Sequence, residues 1–307
     1  MSLGWKWFIE YQTENSAHMH GIRSVVFSRE TAFQRIDVVD SVEYGRMLLL
    51  DGKVQSTVRD EHFYHEALVH PAMLSLPEPR DVLIIGGGEG GTLREVLRHP
   101  SVRRAVMVDI DAGVVEASRA HMPELSAGAF DDPRAELVIG DGRRYVDGAA
   151  GRGEGGSFDA IFMDVTDPLE GGPGALLYTK EFYALASRAL RAGGILVTQA
   201  TSTYYSSYCF ATLYRTVRSV FGAAGGYHTF VPAYDSPWGF VYGTKGPDPK
   251  ELGAGRIREE VAKRGIRLRY YDERVHGAMF ALPRELLEEM GGGSLVATDA
   301  DPTFMPI

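Results

Sequence analysis

The chain has 307 residues, enough for one main domain with a smaller partner, and its 44% hydrophobic and 24% charged content is typical of a soluble globular protein. A net charge of −9 argues against nucleic acid as a ligand, because phosphate contacts need clustered Lys and Arg. No apolar run is long enough to span a membrane, the N-terminus lacks a signal-peptide pattern, and Cys209 is the only cysteine, so we expect a cytoplasmic protein.

Residues 1–75 predict a small domain of β-strands followed by a connecting helix. Four runs rich in apolar and β-branched residues predict strands at 22–30, 33–40, 46–50 and 53–58. Asp51-Gly52 is a typical two-residue hairpin turn between the last two runs. Residues 60–74 predict a helix that Pro71 kinks or ends. The breaker-rich stretch LPEPR then marks the boundary with a second domain, 76–307.

From residue 81 onward, strands and helices alternate. Short apolar runs predict strands at 82–85, 105–111, 135–141, 159–164, 193–200 and 238–244, and amphipathic segments predict helices at 91–99, 113–122 and 178–191. This alternation indicates an α/β fold class with a Rossmann-like, mainly parallel sheet, next to the small N-terminal β-domain. Five glycines and no apolar anchor at 148–157 predict a flexible surface loop.

A glycine loop follows the first strand of the second domain. Gly86, Gly88 and Gly91 fit the pattern G-x-G-x-x-G, and Asp109 ends the next strand 21 residues after Gly88. Such a loop lets a ligand press against the backbone, and the acid accepts hydrogen bonds from a ribose diol. The pattern alone leaves open whether the ligand is a nicotinamide dinucleotide or an adenosyl sulfonium compound.

The acid at the third strand end allows two interpretations. Asp141, followed by Gly142, either accepts a hydrogen bond from an adenine amino group or caps the loop that follows the strand.

Glu89 lies inside the glycine loop and discriminates between the candidate ligands. Phosphate favours the positive end of a helix, so a carboxylate at this place works against a pyrophosphate. Glu89 suits an ammonium and would repel the carboxylate of S-adenosylmethionine. Common methyltransferases place an acid two positions before the first glycine, where this chain has Ile84. The loop therefore predicts an adenosyl sulfonium with a bare aminopropyl tail.

Two further carboxylates, Asp164 and Asp167, follow the buried strand in the segment FDAIFMDVTDPLEGGP. Because carboxylates are rarely buried without a partner, they either shape the loop or bind a cation. Three nearby histidines suggest zinc at first sight, and they are His62, His65 and His70. No cysteine or further histidine lies near them, so we predict no metal site and a role on the surface or behind the ligand-contacting residues.

With these pieces together, the chain resembles the polyamine aminopropyltransferases, the spermidine synthase family. The resemblance rests on LLLDGKVQSTVRDEHFYHEALVHP, VLIIGGGEGGTLREVLRHPSV, VMVDID, FDDPRAELVIGDG, the Asp164 segment and GGILVTQA. It implies a Rossmann-like catalytic domain of the methyltransferase type and a homodimer or homotetramer. It also implies decarboxylated S-adenosylmethionine as co-substrate, with no tightly bound cofactor, transfer of its aminopropyl group to a polyamine amine, and release of 5′-methylthioadenosine.

The resemblance assigns roles to individual residues. Donor-binding positions are Gln55, Gly86, Gly88, Glu89, Asp109, Asp141 and Gly142. Positions near the acceptor amine are Tyr64, His65, Asp167, Gln199, Tyr234 and Trp238. Asp164 is the expected catalytic base, and Glu170 and Asp235 are candidates for the remaining ammonium groups. Further aromatic candidates for the methylene slot are Trp5, Trp7, Tyr204 and Tyr205. We expect the loop between Asp164 and Tyr178 to close over the site.

The acceptor amine is less well defined than the reaction. DVTDPLEGGPGALLYT and VPAYDSPWGF depart from the pattern of putrescine-using members and look like thermospermine-type and triamine/agmatine-type synthases. Spermidine, giving thermospermine, is the first expectation, and agmatine or putrescine come next. Two other classes remain: a methyltransferase of the same fold, which would bind S-adenosylmethionine itself, and a non-catalytic polyamine-binding relative.

Overall fold

Two β-sheets, connected by one long helix, organise the part of the chain that the computed structural model describes, residues 6–151, 156–172 and 174–305. The first sheet is antiparallel, with its strands in chain order. It contains β1 (Lys6–Thr13), β2 (Ser16–Glu30), β3 (Arg35–Ser41), β4 (Arg46–Leu50) and β5 (Lys53–Thr57). The four predicted strands are confirmed as β2 to β5. The sequence does not predict β1, because its one fully buried residue is Glu10 and no buried apolar face marks the strand.

The second sheet has the strand order β11-β12-β10-β9-β6-β7-β8. Its strands are β6 (Asp81–Gly86), β7 (Arg104–Asp109), β8 (Ala135–Ile139), β9 (Phe158–Asp164), β10 (Leu190–Ser202), β11 (Ala223–Val231) and β12 (Ser236–Thr244). The five strands from β10 to β8 in that order are parallel, and β12 and β11 add antiparallel strands at one edge. The predicted mainly parallel α/β sheet beside a small β-domain is confirmed.

Helices cover both faces of the second sheet. They are α1 (Glu61–Ser75), α2 (Gly91–Leu97), α3 (Ala112–His121), α4 (Pro123–Ser126), α5 (Gly142–Ala150), α6 (Lys180–Ala189), α7 (Ser207–Val220), α8 (Ala254–Arg264), α9 (Glu273–Met279) and α10 (Arg284–Gly292). The sequence predicts α1, α2, α3 and α6. Among the described residues, α1 is the longest helix with 15 residues, and none of the helices has the length and hydropathy needed to span a bilayer.

The central strands are buried on both faces. In β6, Ile84 belongs to the apolar cluster that contains Leu68 of α1, whereas its neighbour Ile85 belongs to the cluster that contains Phe182 of α6. Because side chains alternate between the faces of a sheet, a strand covered on both sides becomes a continuous apolar run. This is why the sequence predicts these strands well.

Helix α1 does not end at Pro71 but continues to Ser75. A proline has no N–H to donate to the carbonyl four residues earlier, which here is Ala67. The hydroxyl of Tyr227 in β11 donates to that carbonyl oxygen at 3.0 Å. A partner from another element therefore satisfies the group that the proline leaves free, and the helix passes through.

The glycine-rich stretch at 148–157 is a loop only in part. Helix α5 extends to Ala150, with Val146 and Ala149 buried, so the loop prediction is wrong for residues 148–150. The side chain of Asp141 caps this helix by accepting from the backbone N–H of Arg144. Residues 152–155 of the predicted loop lie outside the described residues.

Candidate active site

A cavity of about 300 Å³ lies at the carboxyl ends of β6, β7 and β9, between the second sheet and the small β-domain. Parallel strands deliver their C-terminal residues to one edge of a sheet, where ligands of open α/β sheets bind. The predicted site residues that line the cavity are Gln55, Tyr64, Gly86, Gly88, Glu89, Asp109, Asp141, Gly142, Asp164, Asp167, Gln199, Tyr234 and Trp238. His65, predicted beside the acceptor, does not line it.

The glycine loop is shaped by its neighbours. Gly86 has a φ of +79°, and a Cβ atom there would lie 2.2 Å from the carbonyl oxygen of Asp164. A Cβ atom on Gly91 would lie 2.4 Å from Cε1 of His65. Glycine is therefore required at both positions, because the loop packs directly against the end of β9 and against α1.

His65 connects Glu89 to a second carboxylate behind the cavity. Its Nε2 lies 2.9 Å from Oε1 of Glu89, and its Nδ1 lies 2.8 Å from Oε2 of Glu61. Burial lowers the pKa of His65, but the two carboxylates outweigh burial and raise the pKa to about 10. The ring is therefore an imidazolium that donates to both acids, and the structure places His65 behind Glu89 instead of at the predicted position beside the acceptor.

Glu61 is itself held by a second cation. Nη2 of Arg94 lies 2.5 Å from Oε2 of Glu61, and both side chains are largely buried. Burial raises the pKa of Glu61, but the bonds from His65 and Arg94 lower it to about 2. Glu61 is therefore ionised throughout the physiological pH range and fixes the charge on His65.

Asp164 accepts a hydrogen bond on each of its carboxylate oxygens. The hydroxyl of Tyr64 donates to Oδ1 at 2.7 Å, and the hydroxyl of Thr92 donates to Oδ2 at 2.6 Å. Burial raises the pKa of Asp164 to about 6, and the negative charge of Glu89 adds to this effect. A carboxylate with a pKa in this range can accept a proton near neutral pH.

Asp109 and Asp141 occupy the ends of the second and third strands of the predicted nucleoside site. Asp109 accepts from the backbone N–H of Asp111 at 2.9 Å, and burial raises its pKa to about 7. Asp141 caps α5 and also lines the cavity, with its side chain 47% exposed. The capping interpretation of Asp141 is thus correct, in that its Oδ1 caps α5, and its Oδ2 lies 3.9 Å from Nε of the exposed Arg144.

Gln199 holds Asp167 in place. Its Nε2 donates to the carbonyl oxygen of Val165 at 2.9 Å and lies 3.2 Å from Oδ1 of Asp167. Its Oε1 accepts from the backbone N–H of Thr201 at 3.0 Å, which fixes the orientation of the amide. Burial raises the pKa of Asp167 to about 6. Since Gln199 is only 2% exposed, its main contacts are with the protein.

An aromatic wall faces these acids. The rings of Tyr64 and Tyr234 have their centroids 6.3 Å apart, and those of Tyr234 and Trp238 lie 4.7 Å apart. The hydroxyl of Tyr234 donates to the backbone carbonyl of Gln55, which joins this wall to β5. Such rings can contact methylene groups and hold ammonium groups over their faces.

Several predicted candidates lie elsewhere. The side chains of Trp7, Tyr204, Glu170 and Asp235 do not line the cavity, and Trp5 lies outside the described residues. Tyr205 does line it. Three residues of the site were not among the predicted ones: Glu10 and Lys53, which line the cavity from the β-domain, and Thr92, which contacts Asp164. Lys53 and Thr92 lie within the segments that carry the resemblance, but their contacts, like those of Glu10, depend on the tertiary fold.

The three histidines of α1 do not share a site, and all are buried. The surface alternative is therefore wrong, whereas His65 lies behind a cavity-lining residue, Glu89, as the other alternative has it. Nε2 of His70 lies 3.0 Å from Glu95, far along the helix from the cavity. His65, Glu89 and Asp164 bring one ligand atom each within 4.8 Å of one another. Both ring nitrogens of His65 already contact carboxylates, so a cation there would have to displace the imidazolium proton.

Two conserved-domain matches cover most of the described chain. Residues 61–250 match the spermine/spermidine synthase domain, and residues 6–57 match the spermidine synthase tetramerisation domain. The chain belongs to the spermine/spermidine synthase family. Membership of this family makes the protein an aminopropyltransferase.

Relatives in the spermine/spermidine synthase family are similar over the whole chain. A polyamine aminopropyltransferase of Saccharolobus islandicus is 43% identical over 306 residues, 99% of each chain. One of Sulfurisphaera tokodaii is 40% identical over 303 residues, 98% of this chain and 99% of the relative.

Solved structures of this family share the fold. A spermidine synthase in complex with the transition-state analogue AdoDATO is 38% identical, with a TM-score of 0.86 over 93% of this chain and 95% of that one. The spermidine synthase of Thermotoga maritima, also 38% identical, has a TM-score of 0.84 over 93% and 94%. The family therefore accounts for the fold.

Proposed function

We propose that the protein transfers the aminopropyl group of decarboxylated S-adenosylmethionine to a polyamine amine and releases 5′-methylthioadenosine. The observation that carries this proposal is the charge of the cavity wall. Its described lining contains six carboxylates, those of Glu10, Glu89, Asp109, Asp141, Asp164 and Asp167. Its two cations are Lys53 and Arg143. Such a wall favours cationic substrates over anionic ones.

The two cations are already engaged by the protein. Arg143 makes a bidentate pair with Asp299, at 2.9 and 2.5 Å, and Lys53 donates to the backbone carbonyl of Tyr11. Arg143 is therefore not free to receive the carboxylate of an amino-acid tail, and Lys53 already donates one of its three N–H groups to the protein. This supports a donor that carries a sulfonium and an ammonium but no carboxylate, and it argues against a methyltransferase that binds S-adenosylmethionine.

The donor would bind along the ends of β6, β7 and β8. Glu89, held by His65, would receive the ammonium of the aminopropyl tail. Asp109 would accept from the ribose hydroxyls, and Asp141 from the adenine amino group, with Gln55, Gly86, Gly88 and Gly142 forming the surface on which the nucleoside lies. The reactive CH₂ group next to sulfur would then face Asp164.

Asp164 would act as the general base. A polyamine nitrogen is protonated in water, since alkyl ammonium groups have a pKa of about 10.4, as lysine does. Next to a sulfonium and away from water, the ammonium loses its proton to Asp164 more readily. The free lone pair then forms the new C–N bond, and the C–S bond breaks with its electrons moving to sulfur. Neutral methylthioadenosine leaves. The remaining contribution to the rate comes from holding the amine and the reactive CH₂ group in the geometry for attack.

The preferred acceptor is spermidine, giving thermospermine, with agmatine and putrescine next. The stretches DPLEGGP and PAYDSPWG support this order, because both differ from the pattern of putrescine-using members. Asp167 would hold an ammonium group of the acceptor, and Tyr64, Tyr234 and Trp238 would contact its methylene groups.

We also propose a homotetramer or homodimer. Residues 6–57 match a tetramerisation domain, and large apolar side chains of β1 and β2 are exposed in the single chain, including Trp7, Ile9, Tyr11 and Met19. An exposed apolar surface of this kind indicates a contact with another copy. Light scattering coupled to size exclusion would give the number of copies.

The reaction is tested by incubating the protein with decarboxylated S-adenosylmethionine and, in turn, putrescine, agmatine, cadaverine, spermidine and spermine. Mass spectrometry should detect methylthioadenosine together with an amine that has gained one aminopropyl group. S-adenosylmethionine with the same amines is the control and should give neither product. Formation of no product with any amine would exclude aminopropyl transfer to these acceptors.

A further inference from the structure

A methionine from the segment that follows α10 lies in the wall of the cavity. This segment, residues 293–305, contains no helix or strand and lies outside both conserved-domain matches. Met305 is 9% exposed and lines the cavity. It belongs to none of the three buried apolar clusters of the described residues. Its apolar side chain is therefore placed for contact with a ligand and not for packing in the core.

The backbone fixes Met305 on the side of the cavity where Asp167 lies. The N–H of Met305 donates to the carbonyl oxygen of Pro168 at 2.9 Å. Pro168 directly follows Asp167, which also lines the cavity. Both come after β9, and β6 separates β9 from β7 and β8, where the nucleoside would bind. Met305 is therefore next to the half of the cavity that we assign to the acceptor amine.

Contacts earlier in the segment hold it against the second domain. The carbonyl oxygen of Ala297 accepts from the backbone N–H of Lys180 at 2.8 Å. Asp299 makes the bidentate pair with Arg143. The segment is thus anchored upstream of Met305 and again at its own N–H, so a fixed backbone presents the methionine to the cavity.

A polyamine needs apolar contacts as well as carboxylates, because runs of methylene groups separate its ammonium groups. Removing methylene groups from water is favourable when they pack against an apolar surface. The aromatic wall of Tyr64, Tyr234 and Trp238 offers such a surface, and Met305 offers another next to Pro168. A methionine side chain is unbranched and adapts its shape to a flexible partner.

We infer that Met305 is a further acceptor-binding residue, whose side chain contacts methylene groups of the amine beside Asp167. This inference rests on the proposed aminopropyl transfer. It extends the acceptor half of the site to a segment more than 130 residues further along the chain than Asp167. Met305 therefore contributes to the affinity for the amine and not to the affinity for the nucleoside.

The test is calorimetry on the wild type and on Met305→Ala, first with methylthioadenosine alone and then with spermidine at saturating methylthioadenosine. We expect the Kd of spermidine to rise about 4- to 15-fold, the effect of losing contact with one or two methylene groups, and the Kd of methylthioadenosine to stay within about twofold. Met305→Leu keeps an apolar side chain of similar volume, so both affinities should remain close to those of the wild type.

Met290→Ala is the matched control. Met290 in α10 is 7% exposed, but it belongs to an apolar cluster and does not line the cavity. The substitution removes the same atoms as Met305→Ala and lowers the stability of the fold. Both affinities should nevertheless remain those of the wild type, which separates the loss of a ligand contact from general destabilisation.

An unchanged spermidine affinity in Met305→Ala, an equal loss for methylthioadenosine, or the same loss in Met290→Ala would overturn the role of Met305. Because binding is measured without turnover, its result is separate from the product assay. A wild type that binds no spermidine would overturn the proposed function together with this inference. A wild type that binds spermidine no better than Met305→Ala does would overturn the inference alone.

Discussion

Nε2 of His65 lies 2.9 Å from Oε1 of Glu89, and the charged imidazolium ring lies behind Glu89, outside the lining of the cavity. The carboxylate of Glu89 is thus oriented by a cation that a ligand does not touch. Glu61 and Arg94 continue this arrangement, so that four alternating charges lead from the glycine loop into the protein. We interpret this buried charge network as a device for fixed orientation, because the cost of desolvating buried charges offsets much of their contribution to stability.

Replacing Glu61 by Gln tests this arrangement. With one of its two carboxylates gone, the pKa of His65 falls from about 10, because the remaining partner stabilises the imidazolium less. His65 then loses its proton at lower pH, and the alkaline limb of kcat/KM should move to lower pH. The KM for the donor should rise more than kcat falls, since Glu89 loses its fixed orientation.

The control for Glu61→Gln is Glu124→Gln, an exposed acid in the first turn of α4. Glu61→Asp keeps the charge and should restore part of the wild-type pH profile. A general loss of activity with an unchanged pH profile would show that Glu61 has only a structural role.

Replacing Asp164 by Asn removes the base and keeps the shape of the side chain. We expect kcat to fall by about 10²- to 10⁴-fold, the usual contribution of a general base, while methylthioadenosine still binds. Single-turnover kinetics and calorimetry measure the two quantities separately. Asp131→Asn, at a position where the side chain is 77% exposed, is the matched control. Retained turnover would show that Asp164 is not the general base.

Thr92 is expected to set the pKa of Asp164. Its hydroxyl donates to Oδ2, which stabilises the charged form and lowers the pKa of Asp164 from the value that burial would give. In Thr92→Val this bond is lost at nearly constant volume, so the pKa rises. The acid limb of kcat/KM should therefore move to higher pH. If the acid limb of kcat/KM does not move, it reports the titration of a group other than Asp164.

The sequence predicts the frame of the second sheet because each buried parallel strand is an apolar run followed by a breaker. The prediction fails where tertiary contacts decide. A proline inside a helix usually kinks or ends it. Helix α1 continues past Pro71 because the hydroxyl of Tyr227, more than 150 residues later, donates to the carbonyl oxygen of Ala67 that the proline leaves free. The strands β1 and β11 have no strong alternating pattern to mark them. Helix α7 does carry an amphipathic pattern, with Phe210, Leu213 and Val217 buried, but the prediction overlooked it.

The residues of the candidate site also fall into those that the sequence predicts and those whose positions depend on tertiary contacts. Glu89, Asp109 and Asp164 can be predicted because each ends a parallel strand or lies in the loop after one, and such ends meet at one edge. Glu10 cannot, because it belongs to the other sheet. The position of His65 is also set by contact: Glu61 precedes it by four residues, which is a sequence signal for an ion pair, but its second partner comes from the glycine loop.

The most direct test of the negatively charged donor pocket is calorimetry on the wild-type protein with decarboxylated S-adenosylmethionine and with S-adenosylmethionine itself. Because a carboxylate placed against Glu89 costs several kcal/mol, the decarboxylated compound should bind at least about tenfold more tightly. In Glu89→Gln this preference should shrink. Equal affinity, or tighter binding of S-adenosylmethionine, would contradict the proposed donor.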